Sequence, residues 1–175
     1  MVDKRKHIRV PLNSKVIVLS DDIARVNLIR DISISGAFIE TIELPKIGSE
    51  VYLLFPLNNP EKTAQTTANV VRIIEPIMEE DDFIIPGIGV EFTNVPFDSS
   101  ILIEDHVIHV KYIYEELMLV LSMKEPDIKR LGQLLKKVNI GQYKDFFELK
   151  DKIKKTCYAL GILRETGEDY GTHNS

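Results

Sequence analysis

The chain of 175 residues has no tryptophan and one cysteine, Cys157. A lone cysteine excludes an internal disulfide framework and suits a reducing compartment. It falls on an apolar helix face, where a buried thiol is the expected reading rather than a nucleophile. No run approaches the ~20 apolar residues that span a bilayer, so no membrane insertion is expected. The charged N-terminus lacks the apolar stretch of a signal peptide, and the expected location is the cytoplasm. A phosphate loop, a dinucleotide glycine fingerprint, a serine–histidine or cysteine–histidine arrangement, an internal repeat and a low-complexity segment are all missing. These absences argue against an enzyme and against a bound cofactor. His106 and His109, at i and i+3, are a conceivable metal pair, but no third ligand stands at a suggestive spacing. They are read as a solvated helix face, and no metal is expected.

What is present is ample core material. Hydrophobic residues make up 44% and charged residues 28%, the balance of an ordinary soluble globular protein. The length suits one domain with an appendage, or one compact unit. Formal net charge is -5, yet Lys4, Arg5, Lys6 and Arg9 crowd the N-terminal arm against Asp3 alone. Acid collects in Glu79-Glu80-Asp81-Asp82, read as a solvated turn. An acidic protein with this distribution can still capture a small anion locally.

Strand-like runs occupy Lys15 to Leu19, Ile23 to Ile32, Gly36 to Ile42, Glu50 to Leu57, Thr63 to Pro76 and Phe83 to Phe92, the last broken by Pro86-Gly87. About six strands with turn residues between them predict an antiparallel barrel or sandwich. Closure would remove exposed sheet edges. The pattern changes at the cap-like Asp98-Ser99-Ser100, with Glu104 and Asp105 expected in the first helical turn. A helix from about Ile101 to Met123 follows. Ile103, Val107, Val110, Tyr114, Leu117 and Leu121 form a heptad seam, and Ile101, Ile108, Tyr112 and Leu119 a second apolar line beside it. One stripe is expected to dock on the barrel and the other to meet later helices or a second subunit. A second helix runs from Pro126 to about Val138 with Ile128, Leu131, Leu134 and Leu135 inward. A third, near Tyr143 to Leu160, buries Phe146, Leu149, Ile153, Cys157 and Leu160. The expected organisation is an α+β chain with a six-stranded antiparallel unit and its arm over 1–97, a helical lobe over 98–163 and a flexible tail over 164–175.

Two short polar clusters carry the chemistry. Arg5-Lys6-His7-Ile8-Arg9 has the form R-x-x-x-R, and Asp31-Ile32-Ser33-Ile34-Ser35-Gly36 has the form D-x-S-x-x-G. In an extended chain Asp31 and Ser33 share one face while Ile32 and Ile34 point into a core. Gly36 allows a bulge, a positive φ or a close backbone approach. The predicted result is a polar lip above an apolar wall. Taken singly, each cluster has a bland reading: a solvated charge run and a turn-capping arrangement.

Jointly, and in this order, the clusters resemble the two signature motifs of the PilZ domain, a bacterial receptor module for cyclic di-GMP. Pro45-Lys46-Ile47-Gly48, Val70-Val71-Arg72 and Gly87-Ile88-Gly89-Val90-Glu91-Phe92 extend the likeness, which covers roughly Lys4 to Phe97. The barrel is reachable from the strand pattern itself, and the resemblance narrows which barrel. It also implies cyclic di-GMP as ligand, with guanine and phosphate contacts from Arg5 and Arg9. A guanidinium fork matches the O6/N7 edge of guanine or two phosphate oxygens, and its flat face stacks on a base. Asp31 is suited to accept from the guanine N1–H and N2 amine, Ser33 to donate to a base or phosphate oxygen, and Gly36 to let the backbone close in. Lys4 and His7 stand at the rim. In this family the residue before R-x-x-x-R bears on whether one or two ligand molecules bind, and Lys4 leaves that open. Arg72 is read as an exposed strand arginine rather than a pocket residue. The arm lacks an apolar anchor before Ile8 and Val10, so the expected mechanism is a ligand-driven ordering of the arm across the barrel mouth.

Two other readings compete. Lys129, Arg130, Lys136, Lys137, Lys150, Lys152, Lys154 and Lys155 make the later helices basic, as nucleic-acid binding requires. Glu125, Asp127, Asp145, Glu148 and Asp151 interleave with them and argue against nucleic acid. An adaptor acting by protein contacts alone is the third class, against which the intact motif residues speak. A protein target and a homodimer through the helix near 101–123 are the expected partners.

Overall fold

The computed structural model describes residues 7–57, 62–79, 82–141, 143–159 and 161–163. Lys4 and Arg5, and the tail from 164, lie outside them. Eight strands come first: β1 (Val10–Ser20), β2 (Ile23–Ser33), β3 (Gly36–Glu40), β4 (Glu50–Pro56), β5 (Thr63–Ile74), β6 (Ile77–Glu79), β7 (Asp82–Ile84) and β8 (Gly87–Asn94). Three helices follow: α1 (Phe97–Ser122), α2 (Ile128–Lys137) and α3 (Phe146–Ala159). Six strands close an antiparallel barrel in the order β1-β2-β3-β8-β5-β4. The ring shuts where Ile17, Val18 and Leu19 of β1 pair with Leu54, Leu53 and Tyr52 of β4.

Alternation along each strand decides what fills the ring. Val51, Leu53 and Phe55 on β4, and Ala64, Thr66, Ala68 and Val70 on β5, point inward, with their neighbours outward. The buried Thr66 hydroxyl lies 3.1 Å from the Asn94 carbonyl and 3.0 Å from that of Thr67, either of which satisfies it. Register slips at four places: between Pro11 and Ser14 on β1, between Ile29 and Asp31 on β2, and between Thr67 and Ala68 and between Val70 and Arg72 on β5. Asn13, inside the first, has φ of 49°, a conformation asparagine tolerates. Such bulges bend strands and re-aim side chains. The last predicted strand is two pieces. Residues before Pro86 form a separate β6–β7 hairpin, and only β8 belongs to the barrel. Proline lacks the N–H that a continuous ladder needs.

α1 packs on β5, β1 and β2 and on α2 and α3. All six residues of the heptad seam are buried on it. The helix begins four residues earlier than the sequence pattern indicated, after Pro96, with no side-chain cap. Ser99 does not cap; its hydroxyl accepts the backbone N–H of Gln65 at 3.0 Å and pegs the helix to β5. Glu104 and Asp105 therefore lie beyond the first turn, which holds Asp98. The second apolar line of α1 is left exposed at Ile101, Ile108, Tyr112 and Leu119. Asp127 caps α2 by accepting from the Arg130 N–H at 2.9 Å. Ile128, expected inward, is 69% exposed, because the helix starts there and its buried face is Leu131, Leu134 and Leu135. Phe146 is likewise partly exposed at the start of α3, while Leu149, Ile153 and Cys157 are buried as expected. Leu160 lies outside the described residues. No helix among the described residues is long and apolar enough to cross a membrane.

His106 is not on a solvated face. It is 4% exposed beneath β1, beside the Pro11 carbonyl but without a well-formed hydrogen bond at either ring nitrogen. Burial is the main reason its pKa falls from 6.5 to about 4; the Pro11 carbonyl works against the shift, and His109 adds to it. In the unfolded chain the imidazole takes up its proton first, so the folded state loses stability as pH falls from about 6.5 towards about 4. Urea titrations over that window should show a loss of up to about 3 kcal/mol in the wild type. His106→Leu should flatten this part of the profile; an unchanged profile in the variant would contradict the assignment.

Candidate functional site

The site begins where the arm joins the barrel. Val10 is fully buried opposite Ile32, and Pro11 pairs with Asp31. Arg9 thereby stands at the edge of β2, with Nη1 3.1 Å from Asp31 Oδ1. Both side chains are about a quarter exposed. A pair at that depth contributes on the order of 1 kcal/mol and sets the direction in which the arm leaves the barrel. One arginine of R-x-x-x-R is thus joined to the first residue of D-x-S-x-x-G. His7 is exposed and belongs to the same arm, whereas Arg5 and Lys4 are outside the described residues.

The rest of the second motif is a turn that fastens itself. Ile32 points into the core as expected. Ile34 does not: it sits in the β2–β3 turn and is 44% exposed, because the strand period ends at Ser33. Ser33 is 2% exposed. Its hydroxyl donates to the Gly36 carbonyl at 3.2 Å and accepts from the Ser35 N–H at 3.3 Å. Gly36 then lies so close to β8 that a Cβ placed on it would stand 2.3 Å from the Val90 carbonyl oxygen. Of the three options left by the sequence, the close backbone approach is the one realised. The Phe92 N–H donates to the Ser35 carbonyl at 2.9 Å and ties the turn to β8.

The outer wall beside this turn is continuous. Asp31 faces Phe38 on β3, Phe38 faces Gly89 on β8, and Gly89 faces Arg72 on β5. The Arg72 guanidinium carbon is 5.9 Å from the centre of the Phe38 ring. Phe38 belongs to neither motif, although its place two residues after Gly36 puts it on the same face as that glycine. Further along the wall Arg30 binds Glu40 and reaches Asn13, and Arg25 binds Glu43. A roomier groove of about 650 Å³ opens near Val26, Leu28, Thr41, Ile42 and Pro86. It is mainly apolar and none of its lining residues belongs to either motif; the polar side chains of the motifs lie on the wall by Asp31.

A closed six-stranded antiparallel barrel, with Arg9 paired to Asp31 beside a self-bonded β2–β3 turn, defines a small-barrel module. The chain belongs to the PilZ domain family, whose profile matches residues 3–109, into the first half of α1. Three solved structures illustrate the shared fold. The Bacillus subtilis inhibitor of motility has a TM-score of 0.50 at 17% identity, with 62% of this chain and 52% of that one covered. The PilZ domain of YcgR from Escherichia coli, solved with c-di-GMP, has a TM-score of 0.51 at 13% identity, covering 65% and 96%. MrkH of K. pneumonia in its apo state has a TM-score of 0.54 at 15% identity, covering 66% and 52%. The matched region thus spans about half the length of the first and third. No curated protein matches the sequence.

The turn's dependence on Gly36 is directly testable. Gly36→Ala should destabilise the protein by about 1–3 kcal/mol through its contact with the Val90 carbonyl. Gly132→Ala on α2, where a Cβ meets nothing within 4 Å, should be neutral or stabilise by up to about 1 kcal/mol. Equal melting temperatures for wild type and Gly36→Ala would refute the close-approach explanation.

Proposed function

We propose that this chain is a receptor for cyclic di-GMP and acts by binding rather than catalysis. The observation that carries the reading is the 3.1 Å contact between Arg9 and Asp31, which brings the two motifs to one place on the barrel wall. Family membership supports it, as does the c-di-GMP bound in the YcgR domain. Arg5 and Arg9 take guanine edges and phosphate oxygens. A guanidinium has five donors, so Arg9 can serve a ligand while still bonded to Asp31. Asp31 accepts from a guanine N1–H and N2 amine. Ser33 and Gly36 hold the turn beside which the ligand sits, Ser33 through its hydroxyl bonds and Gly36 by its fit against β8, and Lys4 and His7 stand at the rim. Binding draws the arm across the outer wall.

The relay runs through Pro11. Two residues from Arg9, it pairs with Asp31 on one side and places its carbonyl beside His106 of α1 on the other. A shift of the arm is thereby felt by the helix that carries the exposed line Ile101, Ile108, Tyr112 and Leu119. In an antiparallel pair of α1 helices meeting along this line and centred at the level of residue 110, Ile101 would face Leu119 and Ile108 would face Tyr112. We read this line as a self-association surface. The nucleic-acid reading is not favoured, since Arg130 is tied to Glu116 at 2.5 Å and Lys155 to Asp151 at 2.6 Å.

Calorimetric titration should show binding of cyclic di-GMP and none of GTP or cyclic di-AMP. Arg9→Ala and Asp31→Ala should each weaken it at least about tenfold, the value of one charge-assisted bond. Wild-type affinity in both variants would contradict the proposed contacts. Light scattering with and without the nucleotide tests the surface on α1. A dimer in either state that Ile108→Glu/Leu119→Glu abolishes is expected, and a constant monomer would remove the self-association proposal.

A further inference from the structure

The two signature motifs leave one feature of the outer wall unexplained. Phe38 and Arg72 come from strands that are not neighbours, with β8 between them. Two glycines of β8 make their meeting possible. A Cβ on Gly87 would stand 2.6 Å from Phe38 Cζ, so the far edge of the ring comes up against that backbone. A Cβ on Gly89 would stand 3.3 Å from Arg72 Cβ and 3.4 Å from its Nε, so the arginine stem runs across the strand towards the ring. The bulge between Val70 and Arg72 leaves both Val71 and Arg72 exposed and turns Arg72 outward. Arg72 has no acidic partner among the ion pairs of the described residues; its identified contact is the face of Phe38.

The pair therefore offers an aromatic ring and a flat, permanently charged guanidinium on the same wall as Asp31, one to three strands away. Three interstrand steps of about 4.8 Å carry the wall from Asp31 to Arg72. A cyclic dinucleotide holds two purines on one small ring, so fixing one base at Asp31 brings the other down onto the neighbouring strands. Resting on the reading above, we infer that Phe38 and Arg72 are the platform for the second guanine, the ring stacking on the base and the guanidinium meeting its O6/N7 edge or stacking in turn. A lysine in place of Arg72 would keep the charge but lose both the fork and the flat face.

The test uses the full chain and cyclic di-GMP, titrated into wild type, Arg72→Ala, Arg72→Lys and Phe38→Leu, with thermal melts as the check on folding. Stacking on one side chain is worth about tenfold in affinity. Arg72→Ala and Phe38→Leu should each lose about that much at unchanged melting temperature, and Arg72→Lys should recover little of it. Wild-type binding with Arg72→Ala and Phe38→Leu within twofold of it would overturn the platform and leave the receptor reading intact. Recovery of full affinity by Arg72→Lys would also overturn it, because charge alone would then suffice. If the wild type does not bind cyclic di-GMP, the receptor reading fails first and the platform falls with it. Should Phe38→Leu unfold the protein, the two exposed Arg72 variants decide.

Discussion

The interior of this barrel is full, and that constraint governs everything else. Ile29, Ile32, Ile39, Leu53, Phe55 and Ile88 are at most 1% exposed and occupy the space the six strands enclose. Interiors of small barrels are filled by side chains. A full interior leaves the outside of the ring for a ligand, where polar contacts must supply what full enclosure would otherwise give. On that outer wall the β2–β3 turn is clasped by Ser33 and tied to β8, and Arg9 is paired with Asp31. The same closure makes the wall rigid, because each strand of the ring is paired on both edges.

Much of the fold was legible because a period of two is a strong signal. Four of the six barrel strands, β2 to β5, start and end within two residues of where alternation and turn residues place them; β1 begins five residues earlier and β8 four residues later, and the buried seam of α1 is the heptad read from the sequence. What escaped the sequence has particular physical causes. Ile34 looks like a core residue by parity, but parity ends where the chain turns. The run Asp98-Ser99-Ser100 looks like a cap, but Ser99 finds a better donor in the Gln65 amide across the interface, which no local pattern encodes. Ile128 and Phe146 have the right chemistry for the core and the wrong azimuth at helix starts. His106 looks polar and is buried, since nothing local shows that β1 passes over it.

The candidate site was half legible. Asp31, Ser33 and Gly36 announce themselves by spacing, yet two of the three serve the turn itself in this structure: Ser33 bonds the Gly36 carbonyl and Gly36 fits against Val90. The bland and the functional readings of this motif are therefore compatible, because a turn that holds its own shape is also a preorganised place for a ligand. The meeting of Phe38 with Arg72 depends on strand order rather than on spacing. β3 and β5 are brought within reach only because β8 lies between them and carries glycine where bulk would separate the pair.

The account stands or falls on where a cyclic dinucleotide touches the protein. Hydrogen–deuterium exchange with and without cyclic di-GMP reports this most directly. Slowed exchange is predicted at the amides of residues 7–10 and 33–36, where the arm meets the clasped turn. Protection confined to the groove near Val26, Thr41 and Ile42, or to α1, with those two segments unchanged, would contradict it.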